Sequence, residues 1–81
     1  MAAALRFYWD RANTCHIASH WVAPEEVQQV FENDEMGVDY DVVQGEDRWT
    51  DMGETDNARV LIVVYTMRAD QVRVVTDAKG E

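Results

Sequence analysis

The spacing of hydrophobic positions changes from strand-like to helical near the beginning of the chain. Residues 5–9 are rich in aromatic side chains, which is typical of a β-strand. Asp10 follows directly and is a favourable N-cap, so the sequence predicts a first helix that extends to about Ser19. A second helix is predicted from Pro24, because proline is favoured at the first helical position.

The second helix has a predicted apolar face, and the pattern after it is typical of strands. Val27, Val30 and Phe31 recur at helical spacing and are expected to face a core. Four strands are predicted after this helix, over residues 38–42, 47–52, 59–66 and 71–76. The first alternates apolar and acidic residues, as a half-exposed edge strand does. The third is dense in β-branched residues and is expected to be central and covered on both faces.

The predicted order of elements is β-α-α-β-β-β-β. It favours a single α+β domain over residues 1–81, in which two helices cover one face of a mostly antiparallel sheet of four to five strands. The longest apolar run spans residues 60–65, whereas a membrane span needs about 20 residues. We therefore expect no membrane association and a cytoplasmic location.

Charge argues against a nucleic-acid partner and for a cationic protein partner. The chain has 7 Lys and Arg residues against 16 Asp and Glu residues, a formal net charge of −9. Affinity for nucleic acid depends on neutralising phosphates with Lys and Arg, so the overall charge opposes it. Five of the basic residues lie in residues 46–81. Any cationic chemistry is therefore expected in the second half of the chain.

Candidate site residues follow from strand parity and side-chain chemistry. Glu46 and Arg48 are two apart and share a face of one predicted strand, which suits a carboxylate base or orienting group beside a guanidinium that binds phosphate. Arg73 and Lys79 could add further phosphate contacts. His20 could transfer protons, because histidine titrates near pH 6.5. Glu46, Arg48 and Arg73 could instead form surface ion pairs, and His20 could make a structural hydrogen bond.

Two other features of the sequence bear on possible sites. His16 and His20 are four apart and would share a helix face as metal ligands, but a third ligand is missing and the helix is predicted to end near Ser19. We expect neither a metal nor a cofactor. Cys15 cannot form an internal disulfide and is expected to be a small buried side chain. Trp49 is expected to point away from Glu46 and to belong to the core.

Several segments together resemble the BrnT family of bacterial toxins. They are residues 7–10 (Phe-Tyr-Trp-Asp), Asn13, His20, residues 25–31, residues 45–49 (Gly-Glu-Asp-Arg-Trp) with Gly53, residues 59–66, Arg68 and residues 73–75. The resemblance covers nearly the whole chain. Its most specific parts are the Trp-Asp pair at the start and the Glu-x-Arg-Trp segment. It implies a RelE-like ribonuclease fold, a ribbon-helix-helix antitoxin as partner and an RNA substrate.

The chain departs from the family pattern at two places that bear on activity. The family usually carries Lys-His-Gly between its helices, where this chain has Ser19, His20 and Trp21. Near the C-terminus an arginine of the family pattern is replaced by Ala78, next to Asp77. Both changes remove a cation, and Asp77 adds a negative charge.

Two functions remain open on these grounds. The resemblance implies the toxin of a type II toxin-antitoxin pair, a metal-independent endoribonuclease in which Glu46, Arg48, Arg73, His20 and Lys79 form the site. The acidic composition favours an alternative, a catalytically inactive relative that keeps the fold and binds a protein through its acidic surface.

Overall fold

The structure, a computed structural model, describes the backbone of residues 5–80 and the side chains of residues 5–75. The elements in chain order are β1 (Arg6–Phe7), α1 (Arg11–Ala18), α2 (Pro24–Glu32), β2 (Met36–Val43), β3 (Glu46–Glu54), β4 (Val60–Arg68) and β5 (Gln71–Gly80). The strands form one sheet in the order β1-β5-β4-β3-β2. β1 runs parallel to β5, and the other neighbours are antiparallel. The predicted α+β class and order of elements are confirmed.

Local sequence signals determine where both helices begin. Asp10 caps α1 by accepting the N–H of Asn13 at 2.8 Å, and the Asn13 side chain accepts the N–H of Asp10 in return. Pro24 is the first residue of α2, where its missing N–H costs nothing. Glu26 accepts the N–H of Ala23 at 3.0 Å and closes the start of this helix. The two predicted helix starts are therefore confirmed.

Both helices pack on the same face of the sheet. The buried apolar side chains form one cluster, which comprises Ile17 of α1, Val22 from the loop before α2, Val27 and Val30 of α2, Leu61 and Val63 of β4, and Val74 of β5. β4 is the middle strand of the five, as expected. Its other face is only half-buried at Ile62 and Val64, however, so the prediction that it is covered on both faces is wrong. No described helix is long and apolar enough to cross a membrane.

Aromatic rings extend this core from one edge of the sheet to the other. Neighbouring ring centroids lie between 5.1 and 6.2 Å apart, within the range of favourable aromatic pairs. We call the six rings the aromatic series; in order of contact they are Trp9, Phe7, Phe31, Tyr65, Trp49 and Tyr40. The prediction that Trp49 packs with core residues, away from the face of Glu46, agrees with these contacts.

Three local expectations need correction. The first strand is only two residues long. Tyr8 still donates its N–H to the Val72 carbonyl of β5 at 2.9 Å, and the chain then leaves the sheet to enter the cap of α1. The last strand extends to Gly80, four residues beyond the predicted end. Cys15 is exposed rather than buried, because the inner face of α1 is formed by Asn13 and Ile17.

Trp21 has a backbone conformation that ordinarily favours glycine. Its φ is 65°, in the left-handed region where a side chain crowds the following carbonyl. The indole is 86 % exposed, so packing does not compensate for this cost. The resemblance to the BrnT family implies glycine at this position, and the observed φ is one that favours glycine.

The contact between α2 and β3 is close at Gly53. A Cβ atom at this position would lie 2.8 Å from Val30 Cγ1 and 3.4 Å from Glu35 Cα. Real Cβ atoms do not approach other atoms as closely as the first distance, and Val30 is fully buried. Glycine at position 53 therefore lets the helix lie directly on the sheet.

We expect Gly53→Ala to lower the free energy of unfolding by about 1–3 kcal/mol, the usual cost of overpacking a core. Urea unfolding followed by circular dichroism measures it. Gly37→Ala is the matched control, because a Cβ there meets only Asp51 Oδ1 at 3.7 Å. Equal effects of the two substitutions would contradict the close helix-sheet contact.

We expect Trp21→Gly to raise the free energy of unfolding by about 0.5–1 kcal/mol. Glycine relieves the left-handed backbone strain, which costs roughly 1–2 kcal/mol for other residues. The unfolded chain has more conformational freedom with glycine, and this offsets part of the gain in stability. Trp21→Ala keeps the strain and removes the exposed indole, so it serves as the control. If alanine stabilised the protein as much as glycine, the backbone explanation would be wrong.

Candidate functional site

Arg48 and Arg73 lie at the same level of the sheet and share one of its faces, near the start of α1. Trp49 pairs with Tyr65, so Arg48, one residue earlier, is level with Thr66 on β4. Thr66 in turn pairs with Arg73 on β5. The two arginines are therefore separated by one strand, a backbone distance of roughly 10 Å, with the buried Thr66 between them. We call Arg48, Thr66 and Arg73 the cation row.

Glu46 joins two arginines on this face. Its Oε1 accepts from Nε and Nη2 of Arg48, both at 3.3 Å, and its Oε2 accepts from Nη2 of Arg68 at 2.8 Å. The predicted common face of Glu46 and Arg48 is thus observed. Arg68 belongs to the segments that resemble the BrnT family, but the sequence does not predict it as a site residue, because its contact with Glu46 depends on the pairing of strands.

Arg73 is held from two sides. Its Nη2 donates to Asp10 Oδ2 at 3.2 Å, and its guanidinium carbon lies 4.9 Å from the centroid of the Tyr8 ring. A guanidinium over an aromatic face is attracted by the ring quadrupole. The capping carboxylate of α1 therefore also orients a cation on β5, and one face of that cation packs on Tyr8.

A cleft lies beside the cation row. Its volume is about 310 Å³, and α1 and β5 form its walls. The lining residues are Asp10, Ala12, Asn13, His16, Arg48, Arg73, Val74 and Val75. Both arginines of the cation row and one imidazole thus border the same space.

The charge state of Glu46 is governed by its arginine neighbours. The hydrogen bond from Arg68 holds the pKa of Glu46 below its ordinary value, against partial desolvation, and the bond from Arg48 lowers the pKa further. A general base works best when its pKa lies near the working pH, so this carboxylate is poorly suited to remove a proton. Its geometry instead suits the orienting role that the sequence left open.

The histidines occupy different places. His16 lines the cleft, while His20 lies in the turn after α1, and the ring centroids are 5.5 Å apart. Arg59 donates to the backbone carbonyl of His20 at 3.3 Å and holds this turn. Sequence reasoning considered His16 only as a metal ligand. His16 lies three residues after Asn13 on the same short helix, and this spacing places both side chains on one helix face. That spacing is the feature of the sequence that could have indicated His16 as a cleft residue.

Two further expectations concern Lys79 and metal binding. The backbone of Lys79 pairs with Ile62, but its side chain lies outside the described residues. Among the described residues, no group of three or more His, Cys, Asp or Glu side chains is placed to hold a metal ion.

This arrangement is suited to binding an anion whose negative charge is delocalised over several oxygen atoms, such as a phosphate. Guanidinium groups bind phosphate oxygens through paired N–H donors, and both arginines of the cation row are already oriented by carboxylates. The imidazole of His16 adds a group able to exchange a proton at the same cleft. Phosphate binding with proton transfer is the chemistry that these groups support.

Comparison with known families agrees with this chemistry. Residues 9–78 match the family described as ribonuclease toxin, BrnT, of type II toxin-antitoxin system. The chain belongs to the BrnT family. A search of curated proteins and a search of solved structures each returned no match. The resemblance seen in the sequence is therefore confirmed at the level of the family.

BrnT membership applies to most of the described chain, and the match includes the whole cation row. The family is one of ribonuclease toxins in type II systems, so an antitoxin partner is implied. The family match assigns no role to individual residues. The contacts of Glu46, Arg48 and Arg73 are the observations that bear on their roles.

We expect Glu46→Gln to weaken the dependence of stability on acid. Because the folded pKa of Glu46 lies below its unfolded value of about 4.3, its stabilising effect is full above that value and is lost as pH falls through the folded pKa. Urea unfolding from about pH 5 to pH 3 should therefore show a steeper loss for the wild type than for the variant.

Glu32→Gln is the control for the loss of one carboxylate, since Glu32 is exposed and has no ion pair within the described part of the chain. A Glu46→Gln profile that matches the Glu32→Gln profile at every pH would rule out the stabilising role of the two arginine contacts.

Proposed function

We propose that this BrnT-family chain is the toxin of a type II pair and cleaves RNA without a metal ion. The observation that carries the proposal is the cation row beside a cleft that His16 also lines. Two oriented guanidinium groups supply the positive charge that a metal ion supplies in other nucleases. Their separation suits contacts to one phosphate or to neighbouring phosphates of a single strand.

In the proposed reaction the 2′-oxygen of a ribose attacks the adjacent phosphorus. The bond from phosphorus to the 5′-oxygen of the next nucleotide breaks, which yields a 2′,3′-cyclic phosphate and a free 5′-hydroxyl. Negative charge increases on the phosphate oxygens as the two bonds exchange. Arg48 and Arg73 would stabilise this charge, because preoriented donors act without reorganisation at the moment of reaction.

We assign proton transfer to the two histidines. A neutral imidazole would accept the proton of the 2′-hydroxyl, and a protonated one would supply a proton to the leaving 5′-oxygen. His16 is the one at the cleft, and His20 is its neighbour across 5.5 Å. Glu46 would keep Arg48 in place rather than act as the base. Lys79 remains our proposed distal phosphate contact.

The antitoxin is proposed to be a ribbon-helix-helix protein that covers the cation row. This follows from the family resemblance. Covering the arginines would prevent RNA from reaching them, which is the simplest way for a partner to silence such a site. We place the pair in the cytoplasm, where cellular RNA is available.

A second function is favoured by the pairing of the arginines. Arg48 and Arg68 both contact Glu46, and Arg73 contacts Asp10, so carboxylates already partly neutralise the site. With a net charge of −9, the protein repels a phosphate backbone at long range. A BrnT relative that no longer cleaves RNA and instead binds a protein would be compatible with both the neutralised arginines and the negative net charge.

The deciding measurement is cleavage of total cellular RNA by the purified protein in the presence of a metal chelator. We expect cleavage that produces cyclic phosphate ends. Arg48→Ala and Arg73→Ala should each lower the rate by roughly 100-fold, the usual effect of removing one preoriented donor. Arg6→Ala is the control, because it makes the same charge change at an exposed position outside the cation row.

Circular dichroism would show that each variant is folded before its rate is compared. Cleavage that disappears with the chelator, or that survives both arginine substitutions, would contradict the proposed mechanism. No cleavage by the folded wild type at low salt would favour the protein-binding function instead.

A further inference from the structure

The outer edge of β2 combines an unpaired strand with exposed apolar side chains. β2 ends the sheet, and β3 is its only neighbour among the described strands. Four large apolar side chains along it are about half exposed, namely Met36, Val38, Tyr40 and Val42. An apolar edge strand that is open to solvent is a template for pairing with another chain.

Two carboxylates cap this edge in the free protein. Asp39 Oδ1 accepts the N–H of Tyr40, and Asp41 Oδ1 accepts the N–H of Val42, each at 2.8 Å. In an antiparallel pair, alternate residues direct their N–H groups away from the neighbouring strand. The N–H groups of Tyr40 and Val42 therefore belong to the outer edge, where each is covered by the preceding aspartate.

Charge decides between the possible occupants of the edge. If two copies of β2 paired antiparallel about Tyr40, Asp39 of one copy would lie opposite Asp41 of the other. Like charges directly opposite each other destabilise a strand pair, and each copy carries a net charge of −9. A cationic segment would meet the same carboxylates with attraction. The arrangement therefore disfavours a second copy and favours a basic partner.

The two faces of β2 define the pattern that such a partner needs. Tyr40 pairs with Trp49 and contacts its ring, so Tyr40 and Val42 lie on the face that carries the helices. Asp39 and Asp41 lie on the other face, where Asp41 pairs with Arg48. A partner strand would place apolar side chains beside the first pair and cations beside the second.

We propose that the β2 edge is a docking site for an extended protein segment in which apolar and basic residues alternate. The segment adds to the sheet as a sixth strand. Its cations draw the carboxylates of Asp39 and Asp41 away from the edge, which frees the N–H groups of Tyr40 and Val42 for main-chain hydrogen bonds. The proposal does not rest on RNA cleavage, because it uses the edge of the sheet and not the cleft.

A synthetic peptide of about eight residues that alternates valine and lysine tests this proposal by isothermal titration calorimetry with the full chain. We expect the valine-lysine peptide to bind at least about tenfold more tightly than a valine-glutamate peptide. It should also bind at least about tenfold more tightly than a serine-lysine peptide. Amide hydrogen exchange at Tyr40 and Val42 should slow on binding. Equal affinity for the serine-lysine peptide would reduce the effect to general charge attraction and overturn the proposal.

Three variants locate the site. Val42→Pro removes an outward N–H that β3 does not use, so the fold should tolerate it while peptide affinity falls about tenfold. The double variant Asp39→Asn with Asp41→Asn keeps the capping oxygens, removes the charge and should also weaken binding. Its control is Asp34→Asn with Asp70→Asn, which makes the same charge change at two exposed turn positions.

Two further results would overturn the proposal. One is unchanged affinity in both β2 variants, which would place the peptide elsewhere. The other is a wild-type dimer in sedimentation that dissociates on Val42→Pro, because a second copy would then be the occupant of the edge.

Discussion

The carboxylate of Asp10 is shared between the start of α1 and the guanidinium of Arg73. One oxygen accepts the N–H of Asn13, and the other lies 3.2 Å from Arg73 Nη2. A carboxylate has enough lone pairs to satisfy both donors at once. The side chain that determines where the helix begins therefore also determines where a cation lies, and the wall of the cleft and its charge are positioned together.

Most of the fold could be predicted because its signals are local. The cap at Asp10, the proline at position 24 and the alternation in residues 38–42 each act over a few residues, and the elements they predicted are observed. The incorrect predictions concern features that depend on contacts between residues far apart in the sequence. Burial of β4 on its second face depends on what lies across the sheet, and the orientation of Cys15 depends on which side of a short helix meets the core.

The site was less predictable than the fold. The common face of Glu46 and Arg48 follows from the two-residue period of a strand and needs no partner strand. The level shared by Arg48 and Arg73 depends instead on two strand registers, and the contact of Arg68 with Glu46 depends on one. The spacing of hydrophobic residues within one strand does not predict how three strands align with one another. The place of His16 at the cleft similarly required the orientation of α1 on β5.

The aromatic series has a consequence for how this protein recognises other molecules. It connects β1 at one edge of the sheet to β2 at the other through Phe31 of α2. Phe7, Trp9, Phe31 and Tyr65 are partly buried against the core, so a change in one of these rings would disturb its neighbours. These contacts join the helical layer to the sheet before any encounter with another molecule. The main free-energy costs of binding a partner would then be desolvation and the exchange of ion-pair partners, and not the ordering of the protein.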